Sequence, residues 1–169
     1  MDQAELRLCQ KFNRWVQQAG LRRLLQVASR LGDGIVWYAL IGALPLVAGR
    51  HGALVALEMG LSGLAGLLLY RLLKRTFVRE RPFITHVVIT RAAAPLDRFS
   101  FPSGHTLHAV CFTIIAVSAF PLLGVVLIPL ATLIALSRVV LGLHYPSDVL
   151  VGALLGASLA GIAMACAQL

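Results

Sequence analysis

Residues 137–148 read Ser-Arg-Val-Val-Leu-Gly-Leu-His-Tyr-Pro-Ser-Asp and lie between two apolar runs. Arg138, His144 and Asp148 are the side chains here that carry charge near neutral pH, and a hydrophobic segment rarely holds three such groups without a function for them. Pro146 suits the first position of a helix, where its missing N–H needs no partner. His144 is therefore expected just before a helix, with Asp148 in its first turn. A carboxylate there is favoured by the helix dipole and is placed to accept a bond from one imidazole nitrogen. The other nitrogen stays free to attack, as in an oriented nucleophile. Arg138 offers a planar fork for an anion. The alternative is an interhelical loop with a capping Asp and a snorkelling Arg.

The rest of the chain shares this apolar character. Of 169 residues, 59% are hydrophobic and 13% charged, with a mean hydropathy of +0.84. Soluble chains carry about a quarter charged residues. Five apolar runs stand out: 35–49, 53–70, 107–120, 122–136 and 149–167. A membrane helix needs about 20 apolar residues, and several runs reach that length when their polar ends extend them. The expected fold is all-α: a polytopic membrane bundle of about five transmembrane helices, with an amphipathic surface helix before it. Gly60, Gly63 and Gly66 form one small-residue set, and Gly152, Gly156 and Ala160 another, as close helix packing requires. Glu58, inside the second run, has no assigned role.

The net charge is +8, from 15 basic and 7 acidic residues. The basic residues fall into two blocks among apolar runs, which suits lipid head groups or a phosphorylated substrate rather than nucleic acid. Cys9, Cys111 and Cys166 form no Cys-x-x-Cys pair, so neither a disulfide framework nor a zinc site is expected.

Residues 1–31 have no signal-peptide core. Cys9, Phe12, Val16, Leu21, Leu24, Ala28 and Leu31 recur at helical spacing with arginines and a lysine between them, which reads as an interfacial amphipathic helix bent near Gly20. Gly32-Asp33-Gly34 breaks that pattern. Residues 35–167 then form the bundle, and 1–169 is read as a single membrane domain with functional loops at 71–105 and 137–148.

Two features of the first loop go beyond a positive flank. Lys74 and Arg81 are about two helical turns apart and are expected on one side of the second span's end, with Pro82 ending that helix. Next, Phe101-Pro102-Ser103-Gly104-His105 precedes the third run. Ser103 is a natural N-cap and Gly104 allows close backbone approach. Free N–H groups at a helix start bind anions, and His105 stands beside them. His51, His86 and His108 are read as turn, loop and packing residues.

Lys74-x6-Arg81-Pro82, Pro102-Ser103-Gly104-His105 and Ser137-Arg138-x5-His144-x3-Asp148 together resemble the type 2 phosphatidic acid phosphatase superfamily, in particular its small bacterial membrane members. The motifs cover residues 70–150, and the pattern of spans covers the rest. The resemblance implies that Lys74, Arg81, Ser103, Gly104 and Arg138 bind phosphoryl oxygens. It also implies that His144 attacks phosphorus to form a phosphohistidine, that Asp148 orients it, and that His105 protonates the leaving oxygen. Three cations and helix-start amides can stabilise equatorial charge without a metal, so no cofactor is expected.

The implied function is hydrolysis of a lipid phosphate or diphosphate in the bilayer: undecaprenyl diphosphate, phosphatidic acid, phosphatidylglycerophosphate or a lipid A phosphate. A phosphotransferase and a non-catalytic binding protein are the alternatives, and the oligomeric state is open. Members with six spans have one more helix before the surface helix, so sidedness stays open too. Counting spans places all three motifs on the N-terminal face and Leu169 opposite. The positive-inside rule favours the cytoplasm for that face. Related phosphatases favour the outer face of a bacterial inner membrane, which is the expectation adopted.

Overall fold

The computed structural model describes residues 3–95 and 97–167, so Leu169 falls outside the described residues. The elements are helices: α1 (Gln3–Asn13), α2 (Ala19–Arg30), α3 (Val36–Thr76), the short α4 (Pro82–Thr85), α5 (Gly104–Ala119), α6 (Gly124–Val140) and α7 (Pro146–Ala167). Among the described residues the architecture is all-α, as expected. Ala19–Thr76, Pro121–Val140 and Pro146–Ala167 are long and apolar enough to cross a membrane, and Gly104–Ala119 is a shorter apolar helix. Leu46, Val47, Leu122 and Val125 are largely exposed, as side chains facing lipid would be.

Helix α3 is not a straight rod. Gly49 has φ +55 and ψ −134, a conformation open essentially to glycine. A Cβ placed on Gly52 would overlap the Leu44 carbonyl, yet residues eight apart in a straight helix are separated by about 12 Å. Beyond the turn, Ile41 and Gly60 line one cavity. His51, at the tip, meets Phe120 at the far end of α5 with ring centroids 5.2 Å apart. The chain therefore doubles back at Gly49, and the apolar runs 35–49 and 53–70 are the two arms of a helical hairpin.

Helix α5 is central, with Leu107, Ala109, Cys111, Phe112, Ile115 and Ala116 buried. Helix α7 packs on it through its small-residue face: a Cβ on Gly152 would come 2.6 Å from the Ser103 carbonyl, and one on Gly156 would overlap the Leu107 carbonyl. On α3, Gly63 and Gly66 make room for Phe112 and Leu107. Gly60 has nothing within 4 Å of its Cβ position and opens onto the cavity instead.

Two expectations change. The N-terminal helix breaks at a 3-10 turn, Arg14–Gln17, followed by the extended Gln18, while Gly20 lies inside α2. The cause is Asn13. It is buried, donates Nδ2 to the carbonyls of Thr90 and Val140 at 2.9 Å each, and accepts from the Thr90 N–H at 2.8 Å. Val16 and Leu25 pack on Val140, Leu141 and Leu143, so this region covers one end of the bundle. Second, α3 ends at Thr76, with Phe77 at φ −103 and ψ 84, and Pro82 begins α4 rather than ending α3. Lys74 and Arg81 therefore do not share a helix face.

Candidate active site

The motif residues gather at one end of the bundle. Lys74 is in the last turn of α3, Arg81 immediately precedes α4, and Gly104 and His105 open α5. Arg138 is in the last turn of α6, and Asp148 is in the first turn of α7. A tight turn sets His144. Gly142 takes φ +76 under the Thr90 carbonyl, which a Cβ would approach to 2.7 Å. The N–H groups of Leu143 and His144 then both return to the Arg138 carbonyl, at 3.0 and 2.9 Å.

These elements enclose a cavity of about 340 Å³. Lys74, Arg81, Asp97, Gly104, His105 and His144 line its polar end, and Ile41, Gly60, Leu64 and Leu67 line an apolar wall. Ser103, Arg138 and Asp148 are buried behind the lining. The space joins a charged end, where Asp33 also stands, to an apolar wall.

His144 is 1% exposed. Its Nε2 lies 3.1 Å from Arg81 Nη1. A guanidinium only donates, so Nε2 is the acceptor and Nδ1 carries the proton. Burial, then the charges of Arg138, Arg81 and Lys74, hold the imidazole well below its ordinary pKa. The ring is therefore neutral near pH 7, with its lone pair on Nε2.

Asp148 is placed as expected but is occupied differently. Its Oδ2 accepts the Tyr145 N–H at 2.8 Å and stands 3.7 Å from His144 Nδ1, too far for a hydrogen bond. Its Oδ1 pairs with Arg79 Nη1 at 2.6 Å. Arg79 also binds Glu5 at 2.6 Å and lies over the Tyr145 ring at 4.0 Å. Glu5 in turn accepts from the Ser147 hydroxyl and N–H. Arg79 and Glu5, absent from the sequence reading, thus tie α1 to the base of α7.

Asp97 joins two of the motif cations. Its two carboxylate oxygens each take a bond from Lys74 Nζ at 2.7 Å, and Oδ1 takes another from Arg81 Nη2 at 2.9 Å. Lys74 gives its remaining N–H to the Phe99 carbonyl at 3.0 Å. Burial alone would raise the Asp97 pKa, but Lys74 and Arg81 outweigh it and hold the carboxyl below its usual range.

Ser103 holds the N-cap position, yet its hydroxyl bonds Thr106 at 3.0 Å and caps no backbone N–H. Its own N–H donates to the Asp148 carbonyl. Arg138 Nη1 donates to Ser29 Oγ at 2.5 Å, and its buried Nε has no partner. His108 lines the cavity and spans the carbonyls of Gly104 and Gly63, so it joins α5 to α3. His105 Nε2 lies 2.5 Å from Asp33 Oδ1. Among the described residues, no three His, Cys, Asp or Glu side chains gather as a metal-ligand set.

Residues 55–169 match the family model described as the PAP2 superfamily. The chain is 34% identical over 151 residues to the decaprenylphosphoryl-5-phosphoribose phosphatase of Mycobacterium tuberculosis, covering 87% of this chain and 81% of that one. It is 36% identical over 117 residues to an undecaprenyl-diphosphatase of Bacillus subtilis, covering 69% and 60% respectively. A crystal structure of a transmembrane PAP2 type phosphatidylglycerolphosphate phosphatase from Bacillus subtilis is similar with a TM-score of 0.77 and 25% identity, over 98% of this chain and 85% of that one.

Proposed function

The chain belongs to the PAP2 superfamily, and from that premise we propose that it is an integral-membrane phosphatase acting on a lipid phosphate or diphosphate through a phosphohistidine. The observation that carries this reading is the neutral His144, which lines the cavity with its Nε2 beside the Arg81 guanidinium, where Lys74 and Arg81 stand at one end and an apolar wall runs along the other.

In this mechanism His144 Nε2 attacks phosphorus. The P–N bond forms as the bond to the leaving oxygen breaks, and His105 gives that oxygen a proton. Water then attacks the phosphohistidine, the P–N bond breaks, and the water proton passes to His105. Lys74, Arg81 and Arg138, with Ser103 and the Gly104 amide, stabilise the equatorial oxygens, which is most of what phosphoryl transfer asks of a protein. Asp148 faces the Nδ1–H side of the nucleophile. Its 3.7 Å separation closes to a hydrogen bond as positive charge develops on the ring. No metal takes part in the scheme.

Residues 1–169 act as one membrane domain that crosses the bilayer five times, with the α3 hairpin supplying two crossings. The site lies on the face shared with α1 and α2, at the outer side of the bacterial cell membrane. The relatives suggest polyprenyl and glycerolipid phosphates as the substrates to try: undecaprenyl diphosphate, phosphatidic acid, phosphatidylglycerophosphate and lipid A phosphates. The experiment is phosphate release from that panel by purified protein in detergent, with EDTA present and His144→Ala as control. Release from at least one lipid by the wild type alone supports the reading. No release from any lipid, or loss in EDTA with recovery in magnesium, contradicts it.

A further inference from the structure

Gly32-Asp33-Gly34, a mere break in the sequence pattern, is a shaped turn in the structure. Residues Leu31–Ile35 join α2 to α3 through a kink, at which Gly34 takes φ +126. A Cβ on Gly34 would come 2.7 Å from the Tyr38 ring. A Cβ on Gly32 would come 3.0 Å from Ile134 and 3.3 Å from His105 Cδ2. Gly34 permits the left-handed backbone of the turn, and Gly32 lets it approach the His105 ring. The side chain delivered between them is Asp33, whose Oδ1 lies 2.5 Å from His105 Nε2, and both residues line the His144 cavity.

The two histidines of the cavity thus have opposite neighbours. His144 Nε2 meets a guanidinium, which leaves the lone pair there. His105 Nε2 meets a carboxylate, which favours a proton there.

We propose that Asp33 is the positioning residue of His105: it fixes the ring, stabilises its charged form, and leaves Nδ1 to exchange the proton with the reacting oxygen. The inference rests on the phosphatase reading, in which His105 protonates the leaving group as the P–O bond breaks and regains a proton from water as the P–N bond breaks. Asp33 touches no substrate atom in this scheme. A carboxylate behind an imidazole orients it and stabilises the imidazolium without taking the proton itself.

The test uses leaving groups. An alkyl lipid phosphate such as phosphatidic acid needs a proton on its departing oxygen, whereas p-nitrophenyl phosphate does not. The readout is kcat/KM for both substrates with the full-length protein in detergent, because it reports the step that breaks the P–O bond. Asp33→Asn should lower kcat/KM on phosphatidic acid by about 10- to 100-fold and leave p-nitrophenyl phosphate within about threefold, since general acid catalysis contributes roughly 10²–10⁴. His105→Ala should show the same selectivity more strongly, and the double variant should be no worse than His105→Ala. Asp33→Glu, which keeps the charge, should recover part of the loss, and it serves as the measurement if Asp33→Asn does not accumulate. Equal losses on both substrates, additivity with His105→Ala, or no recovery in Asp33→Glu would overturn the assignment of Asp33. If His105→Ala itself slowed both substrates alike, the general-acid reading of His105 would fail, and this inference with it.

Discussion

Arg79 Nη1 lies 2.6 Å from Asp148 Oδ1, and that carboxylate is 0% exposed. Asp148 therefore holds its position through a cation outside the three motifs. Arg79→Ala would leave a buried charge without its partner, a change that costs about 3–5 kcal/mol. We expect the thermal midpoint in detergent to fall by roughly 10 °C and kcat by at least tenfold. Arg79→Lys should recover stability in part, because a point charge restores one ion pair but not both. Glu5→Gln should be milder, because Asp148 keeps its guanidinium. A wild-type midpoint in Arg79→Ala would show that Asp148 is satisfied some other way.

His144 makes stability depend on pH in a definite direction. Its folded pKa is depressed by burial and by Arg138, Arg81 and Lys74, while in the unfolded chain it titrates near about 6.5. Below that value the unfolded state binds a proton that the folded state refuses, so stability falls as pH drops through this window and is fully present above it. The thermal midpoint of the wild type should therefore drop between about pH 6.5 and the folded pKa by more than that of His144→Gln. Equal slopes for the two proteins would contradict a buried neutral His144.

Asp97 occupies the cations that a phosphoryl group would use. A lysine has three N–H donors, and Lys74 directs them to the two Asp97 oxygens and the Phe99 carbonyl. An incoming anion must take over part of that set. Vanadate, as a phosphate mimic, should inhibit the wild type, and Asp97→Asn should bind it about tenfold more tightly by removing the competing charge. Weaker vanadate inhibition in Asp97→Asn would instead make Asp97 a support for the cations.

The glycines divide into those that hold helices together and those that do not. Gly156→Ala and Gly52→Ala place a methyl group against the carbonyls of Leu107 and Leu44. Overpacking of this kind costs about 1–3 kcal/mol, and against backbone we expect the upper end. Gly60→Ala and Gly161→Ala meet nothing within 4 Å and should be neutral in thermal unfolding. Similar midpoints for all four variants would contradict the close α5–α7 contact and the reversal at Gly49.

Much of this arrangement was legible in the sequence because membrane helices contrast charge with apolar surroundings. His144 falls just before Pro146, which starts α7, and the polar break after Gly49 marks the hairpin between two apolar runs. Asp33, Asp97 and Arg79 were not legible as partners, because each meets its contact far along the chain: Asp33 is 72 residues from His105, and Arg79 is 69 from Asp148. The break at Gln18 was hidden for the same reason. Gly20 is a local helix-breaking signal, but the tertiary bonds of Asn13 to Thr90 and Val140 decide where the chain turns.

The phosphorylated intermediate is the most direct test of the account. Wild-type protein mixed with a lipid phosphate it hydrolyses, labelled in the transferred phosphoryl group, can be quenched in alkali within one turnover and digested for mass spectrometry. The account predicts label on the peptide containing His144, carried on the imidazole. It predicts no label and no phosphate release in His144→Ala. Label on another residue, or near-normal phosphate release by His144→Ala, would contradict it.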